Sequence, residues 1–144
     1  MGSDIQKLRE LTERLPLMGY RQAETRVRVL VVEDEKSINR LVLETLEYFG
    51  CECASATSIQ GAVDLIAKQE FDVLLANIVL KENGEESRVV KAFQEKRPGS
   101  LVIIMSSDEA LLADYSKLFA TLAMPFGIYD LVKKVNEGIV GREK

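Results

Sequence analysis

The chain has 144 residues, 23 Asp and Glu against 19 Lys and Arg for a formal net charge of -4, and 47% hydrophobic residues. That length suits one domain with a real core rather than two of usual size, and the composition excludes a disordered tail. No apolar run approaches bilayer-spanning length, and the acidic balance argues against nucleic acid or anionic lipid as a partner, since both demand a basic face. Protein partners are expected instead. The N-terminal segment lacks the apolar stretch of a signal peptide, so a cytoplasmic location is expected.

Residues 1–26 form an extension that is expected to be partly helical. Leu8, Leu11, Leu15 and Met18 step by three and four, giving a short amphipathic stripe that Pro16 interrupts. It is expected to pack on its own domain or on a partner chain; two heptads are too few to establish a coiled coil.

From Val27 onward, strand and helix patterns alternate. VRVLVV is a β-branched run suited to a buried strand. Ile38, Leu41, Val42, Thr45, Leu46 and Phe49 then recur at helical spacing, with Gly50 as the stop. CECASA is a second, weaker strand, after which Ser58 can cap a helix facing inward through Ile59, Ala62, Val63 and Ile66. DVLLAN is the third strand. After the 81–84 loop a helix is expected over 85–96, with Val89, Val90 and Phe93 inward and Pro98-Gly99 as its stop. LVIIMS is the most hydrophobic run and the expected central strand. Asp108 can cap a helix from Glu109 to about Lys117, FATLA is a fifth strand, and the last helix shows Ile128, Leu131, Val132, Val135 and Ile139 on one stripe.

Cys51 and Cys53, one residue apart, point to the same side of a strand and are too tightly tethered for an ordinary disulfide. With no histidine in the chain, small core hydrophobes are a better reading of them than metal ligands.

Continuous apolar strands joined by helices imply an α/β fold with a five-stranded parallel sheet and five helices on both faces. In such a doubly wound sheet the functional crevice lies outside the carboxyl ends of the strands. That singles out Glu33, Asp34, Asn77, Ser106 and Met124. Each has a plain structural reading too. The acids could cap the first helix, Ser106 could bond its own backbone, and Met124 could fill the core.

The order of these strand-end residues, VLVVEDE, then DVLLANIVL, then VIIMSS, then LAMPF, resembles the receiver domain of two-component response regulators over about 27–141, leaving 142–144 as a tail. The resemblance implies the flavodoxin-like (βα)5 fold and no enzyme activity. It also implies a magnesium-binding acid pair at Glu33 and Asp34, with the Val79 carbonyl assisting, and a switch hydroxyl at Ser106. It implies a cis bond at Met124-Pro125. Signalling proteins would bind the face built by the fourth helix, fifth strand and fifth helix, where Leu111, Leu112 and Tyr115 supply apolar material, and a homodimer is an open option.

Three departures stand out. The phosphoacceptor aspartate of the family falls on Asn77, its lysine on Met124, and its aromatic switch residue on Thr121. A carboxamide is a poor nucleophile and forms no stable acyl phosphate, so Asn77 is not expected to accept phosphate. Losing the third carboxylate leaves weak magnesium binding at most, and none is required. The losses of one acid and one lysine cancel in formal charge, which suggests a pocket rebuilt as a unit. The reading is therefore a receiver-like protein-interaction module without phosphate chemistry. The alternatives are a conventional phospho-accepting receiver with an unusual pocket, which would require phosphorylation of a neighbouring acid such as Asp34, and a flavodoxin-like ligand binder. The absence of a Gly-rich phosphate loop after the first strand opposes the latter.

Overall fold

The structure, a computed structural model, describes residues 27–77 and 86–143. The N-terminal extension, the Val79 carbonyl and the 81–84 loop lie outside the described residues. Within them, strand and helix alternate as β1 (Arg28–Val32), α1 (Lys36–Tyr48), β2 (Glu52–Ala56), α2 (Ile59–Lys68), β3 (Val73–Asn77), α3 (Glu86–Lys96), β4 (Leu101–Ser106), α4 (Glu109–Tyr115), β5 (Ala120–Ala123) and α5 (Ile128–Glu143). The last helix runs two residues past 141, where the domain was expected to end. Among the described residues no helix is long and apolar enough to cross a membrane.

All strand pairs are parallel, in the order β2-β1-β3-β4-β5. Period-two alternation within each strand divides the core into two layers. Val29 and Val31 of β1 join Leu75, Ile103 and Met105 under α1 and α5, which contribute Val42, Leu46, Leu131 and Val135. Leu30 and Val32 face the other way, with Leu74 and Ile104, under Ile59 and Ile66 of α2 and Val89 and Phe93 of α3. β4 is buried at all six positions, as its hydrophobicity predicts, but it is not the central strand: β3 holds that place, and β4 lies between β3 and the edge strand β5. Cys51 is buried, Cys53 packs against the first layer, and both are free thiols.

Capping follows local chemistry. Ser58 Oγ accepts from the Gly61 amide at 3.1 Å and Asp108 Oδ1 from the Leu111 amide at 3.1 Å, so both expected caps form. The cap of α1 is neither Glu33 nor Asp34. Glu35 Oε1 takes the Ser37 amide at 3.0 Å and the Ser37 hydroxyl at 2.7 Å, which holds its carboxyl below the ordinary value. At the other end Phe49 is the C-cap and Gly50 follows at φ 96, the left-handed conformation that glycine adopts without steric cost. α4 ends at Tyr115 rather than near Lys117, and the chain leaves it through a tightened turn in which the Leu118 amide bonds the Tyr115 carbonyl three residues back at 3.0 Å.

Two basic residues tie the amino-terminal end of the sheet. Lys96 Nζ donates to the carbonyls of Ile66 (2.6 Å), Ala67 (3.2 Å) and Gln69 (3.1 Å), satisfying the end of α2. Arg97 pairs with Asp72 at 2.6 Å, and Asp72 Oδ2 accepts the Arg28 amide at 2.9 Å, so one carboxylate links the starts of β1 and β3.

Candidate functional site at the carboxyl ends of the strands

The strand order reverses between β1, which pairs with β2 on one side, and β3, which continues to β4 and β5 on the other. Val32 is in register with Ala76, so the next residues, Glu33 and Asn77, sit side by side at the switch point. Apolar strand residues drive both side chains into a water-poor site. Glu33 is 0% exposed and Asn77 only 8%.

A buried carboxylate needs hydrogen-bond donors or a counter-charge. Glu33 obtains two donors from its own chain. The Asn77 amide donates through Nδ2 to Glu33 Oε1 at 2.7 Å, and the Glu35 backbone N–H donates to Oε2 at 2.9 Å. The identity of the partner fixes the Asn77 orientation, since a carboxylate oxygen accepts from an N–H and repels a carbonyl. Burial raises the Glu33 carboxyl above its ordinary value. The Glu35 N–H and the Asn77 amide oppose that shift, while the nearby Asp34 carboxylate reinforces it.

The two adjacent acids are therefore not equivalent: Glu33 is sealed within the site, whereas Asp34 is exposed. Asn39 adds a contact that reading the sequence missed. It is buried on the inner side of α1, and its Nδ2 donates to the carbonyls of Glu33 (3.1 Å) and Ala56 (3.3 Å), clamping the ends of β1 and β2 together. A polar residue one turn before Val42, on the stripe that buries Val42 and Leu46, was the available signal.

Ser106 is 0% exposed at the end of β4. Its Oγ accepts the Asp108 amide at 3.0 Å and its carbonyl accepts the Met124 amide at 2.8 Å. The serine thus bonds the backbone two residues on, the plain reading of a strand-end hydroxyl. Met124 is half-buried against the layer under α1 and α5, ahead of a cis bond to Pro125. Thr121 is half-buried on β5. The structure thus brings Glu33 and Asn77 into direct contact and places Ser106 at the end of the strand beside β3.

Among the described residues, the Glu33–Asn77 pair fits magnesium poorly. The ion requires several hard oxygens in octahedral array, yet both Glu33 oxygens already accept protein N–H groups and Asn77 presents an N–H to Glu33. Among the described residues no cluster of three or more His, Cys, Asp or Glu is placed to hold a metal.

Leu111, Leu112 and Tyr115 are half-buried, packed against the layer under α2 and α3, and Tyr115 stacks on Phe119 with ring centroids 6.0 Å apart. The exposed apolar side chain of this neighbourhood is Leu118, at 78%. Beside it, Thr121, Pro125, Phe126, Asp130 and Lys133 line a groove of about 420 Å³ between β5 and α5.

Residues 29–137 match the profile of a family described as response regulator receiver domain. The response regulator protein PilR of Pseudomonas aeruginosa is 27% identical over 111 residues, covering 76% of this chain and 23% of that protein. The chain thus spans less than a quarter of that relative's length. A receiver domain protein from Methanospirillum hungatei, described as CheY-like, superposes with a TM-score of 0.71 at 22% identity, over 81% of this chain and 96% of that one. A receiver protein from Sinorhizobium medicae gives 0.72 at 19% identity, with coverage of 81% and 96%. The beryllofluoride-activated NtrC4 receiver domain dimer gives 0.70 at 24%, over 80% of this chain and 98% of that one. At these identities the structural likeness bears on the fold, and the profile on the family.

Proposed function

This chain belongs to the response regulator receiver domain family of two-component signalling, and from that premise we propose that it acts as a protein-interaction module whose pocket does not take phosphate. One observation carries the reading: the Asn77 amide occupies the phosphoacceptor position and donates at 2.7 Å to buried Glu33. In a working site that carboxylate would be balanced by a metal ion. Here an N–H does so, and the pocket is satisfied from within. The carboxamide is also a poor nucleophile toward a phosphoryl group, and the thioether at Met124 supplies no positive charge for the phosphoryl oxygens. Magnesium binding is weak at most, no cofactor is required, and the domain is not an enzyme.

Output then does not depend on phosphorylation. With Thr121 where the family has an aromatic switch, the coupling of Ser106 to a swinging ring has no moving part. The output face is constitutive, or is shifted by whichever partner binds one conformation more tightly. The α4–β5–α5 face, with its groove and exposed Leu118, suits a signalling protein or a second copy of the domain, and the chain's acidity opposes direct contact with nucleic acid. A cytoplasmic setting fits that role.

Asp34 supports the competing reading of a conventional receiver, because it is an exposed carboxylate beside Glu33. Acetyl phosphate with magnesium separates the two. Intact-mass spectrometry of the treated protein should show no phosphate adduct, whereas Asn77→Asp provides the nucleophile and should show one. An adduct on the unsubstituted protein that Asp34→Asn removes would overturn the proposal.

A further inference from the structure

Away from the strand ends, α1 and the start of α5 frame an apolar groove of about 220 Å³ lined by Leu41, Glu44, Thr45, Tyr48, Phe49 and Ile128. Its rim is exposed apolar surface: Leu41 is 44% exposed and Tyr48 71%, two turns apart on α1. Scattered apolar side chains on a surface need no explanation, but two large ones aligned on one helix beside a groove form a docking face.

We propose that the occupant is this chain's own segment around Leu8, Leu11 and Leu15, which covers the α1 groove in cis. Three observations support that choice. The first is position. The Val27 carbonyl accepts the Glu52 amide at 2.9 Å, just past the Tyr48–Phe49 end of α1, so Val27, the first described residue, stands beside one end of the groove. Residues 16–26 can reach up to about 35 Å when extended, and α1 itself is about 20 Å long, so Leu15 can be placed anywhere along it.

The second is pattern and charge. Leu8, Leu11 and Leu15 make one helical stripe ending before Pro16, a run of the length that Leu41 to Tyr48 presents. Lys7 and Arg14, seven residues apart, flank one side of that stripe, and the groove lining includes one exposed acid, Glu44, which already pairs with Arg40 at 3.0 Å. The third is tethering. A short intervening stretch gives an attached segment an effective concentration on the order of millimolar, which a second copy of the chain must exceed to compete.

Paramagnetic broadening on the full chain tests this. Gln6→Cys introduces a thiol for a nitroxide label; burial pushes the Cys51 thiol up to about 12 and raises Cys53 as well, so the new thiol reacts selectively. The label should erase amide signals of Leu41 to Phe49 and Ile128, and leave those of Ile66 and Val89 on the opposite layer intact. In a mixture of labelled unenriched chain with unlabelled ¹⁵N chain, the same amides should remain sharp. Adding Leu8→Ser, Leu11→Ser and Leu15→Ser to the labelled chain should restore the signals while the core shifts of Val31 and Ile103 stay unchanged. Sharp α1 signals in the labelled chain would overturn the proposal. So would broadening that appears equally in the mixture, which would assign the groove to a second copy.

Discussion

At the scale of single residues, the hydrogen bond between Asn77 and Glu33 governs the site. An aspartate at 77 would place a carboxylate oxygen where Nδ2 now stands, 2.7 Å from Glu33 Oε1. The chain would lose a hydrogen bond to a charged group, worth about 1.5–3 kcal/mol, and gain like-charge repulsion in a buried site. Asn77→Asp should therefore be less stable than the unsubstituted chain by about 2 kcal/mol or more in urea titrations with a chelator present, and magnesium should recover part of the loss. Equal midpoints without metal would mean that the amide is not what satisfies Glu33. The same residue predicts a pH dependence. The Glu33 carboxyl lies above its ordinary 4.5 in the folded state, so between those values the folded chain binds more protons than the unfolded one. Its contribution to stability falls as pH rises through that window, and the penalty persists at higher pH. Glu33→Gln lacks this titration and misplaces a donor equally at every pH. The stability difference between the two proteins should then favour the unsubstituted chain more at about pH 5 than at about pH 7; a difference that does not change, or changes the other way, would place the carboxyl at or below its ordinary value.

At the scale of elements, close approach decides where α5 lies. Gly138 faces β4, and a Cβ there would clash with Leu101 Cδ2 and stand 3.1 Å from Cδ1 and 3.3 Å from Cγ. Leu101 is itself buried, so it has little room to turn aside. Overpacking of this kind costs about 1–3 kcal/mol, against a helix-propensity gain of about 0.5–1 kcal/mol for replacing glycine. Gly138→Ala should accordingly lower the urea midpoint despite its better helix propensity. A raised midpoint would show that α5 and β4 have slack between them. The sequence marks Gly138 as a weak point in a helix and gives no sign of the Leu101 contact, because that contact depends on how two elements separated by the whole of α4 and β5 come together.

At the scale of the molecule, periodicity made most of the fold legible. The β-branched runs and three-four spacings found ten elements in order, whereas the apolar character of LVIIMS found a fully buried strand and misplaced it at the centre of the sheet, because β3 is buried throughout as well and takes that place. Register and layer assignment follow from alternation once the sheet is parallel. The site was legible only as a set of positions. Glu33 and Asp34 look alike as letters, and only the twist that carries β1 into α1 buries one and exposes the other. Asn39 hides among apolar neighbours on α1. The Asn77–Glu33 contact joins residues 44 apart, and short-range spacing carries no trace of it. The differences from the family pattern at Asn77, Thr121 and Met124 could be read directly, because each is a change of side-chain chemistry at one position and depends on no long-range contact.

The measurement that bears most directly on a receiver with a self-satisfied pocket is an amide NMR titration, first with magnesium and then with beryllofluoride, a mimic of an acyl phosphate; the chain has no tryptophan to report by fluorescence. A pocket satisfied from within should give no saturable shifts at Glu33, Asp34, Asn77 or Ser106, and none at α4 or Thr121. Saturable shifts beginning at those four residues and spreading through α4 to Thr121 would contradict it, because they would show a pocket that still binds its ligand and still transmits the event to the output face.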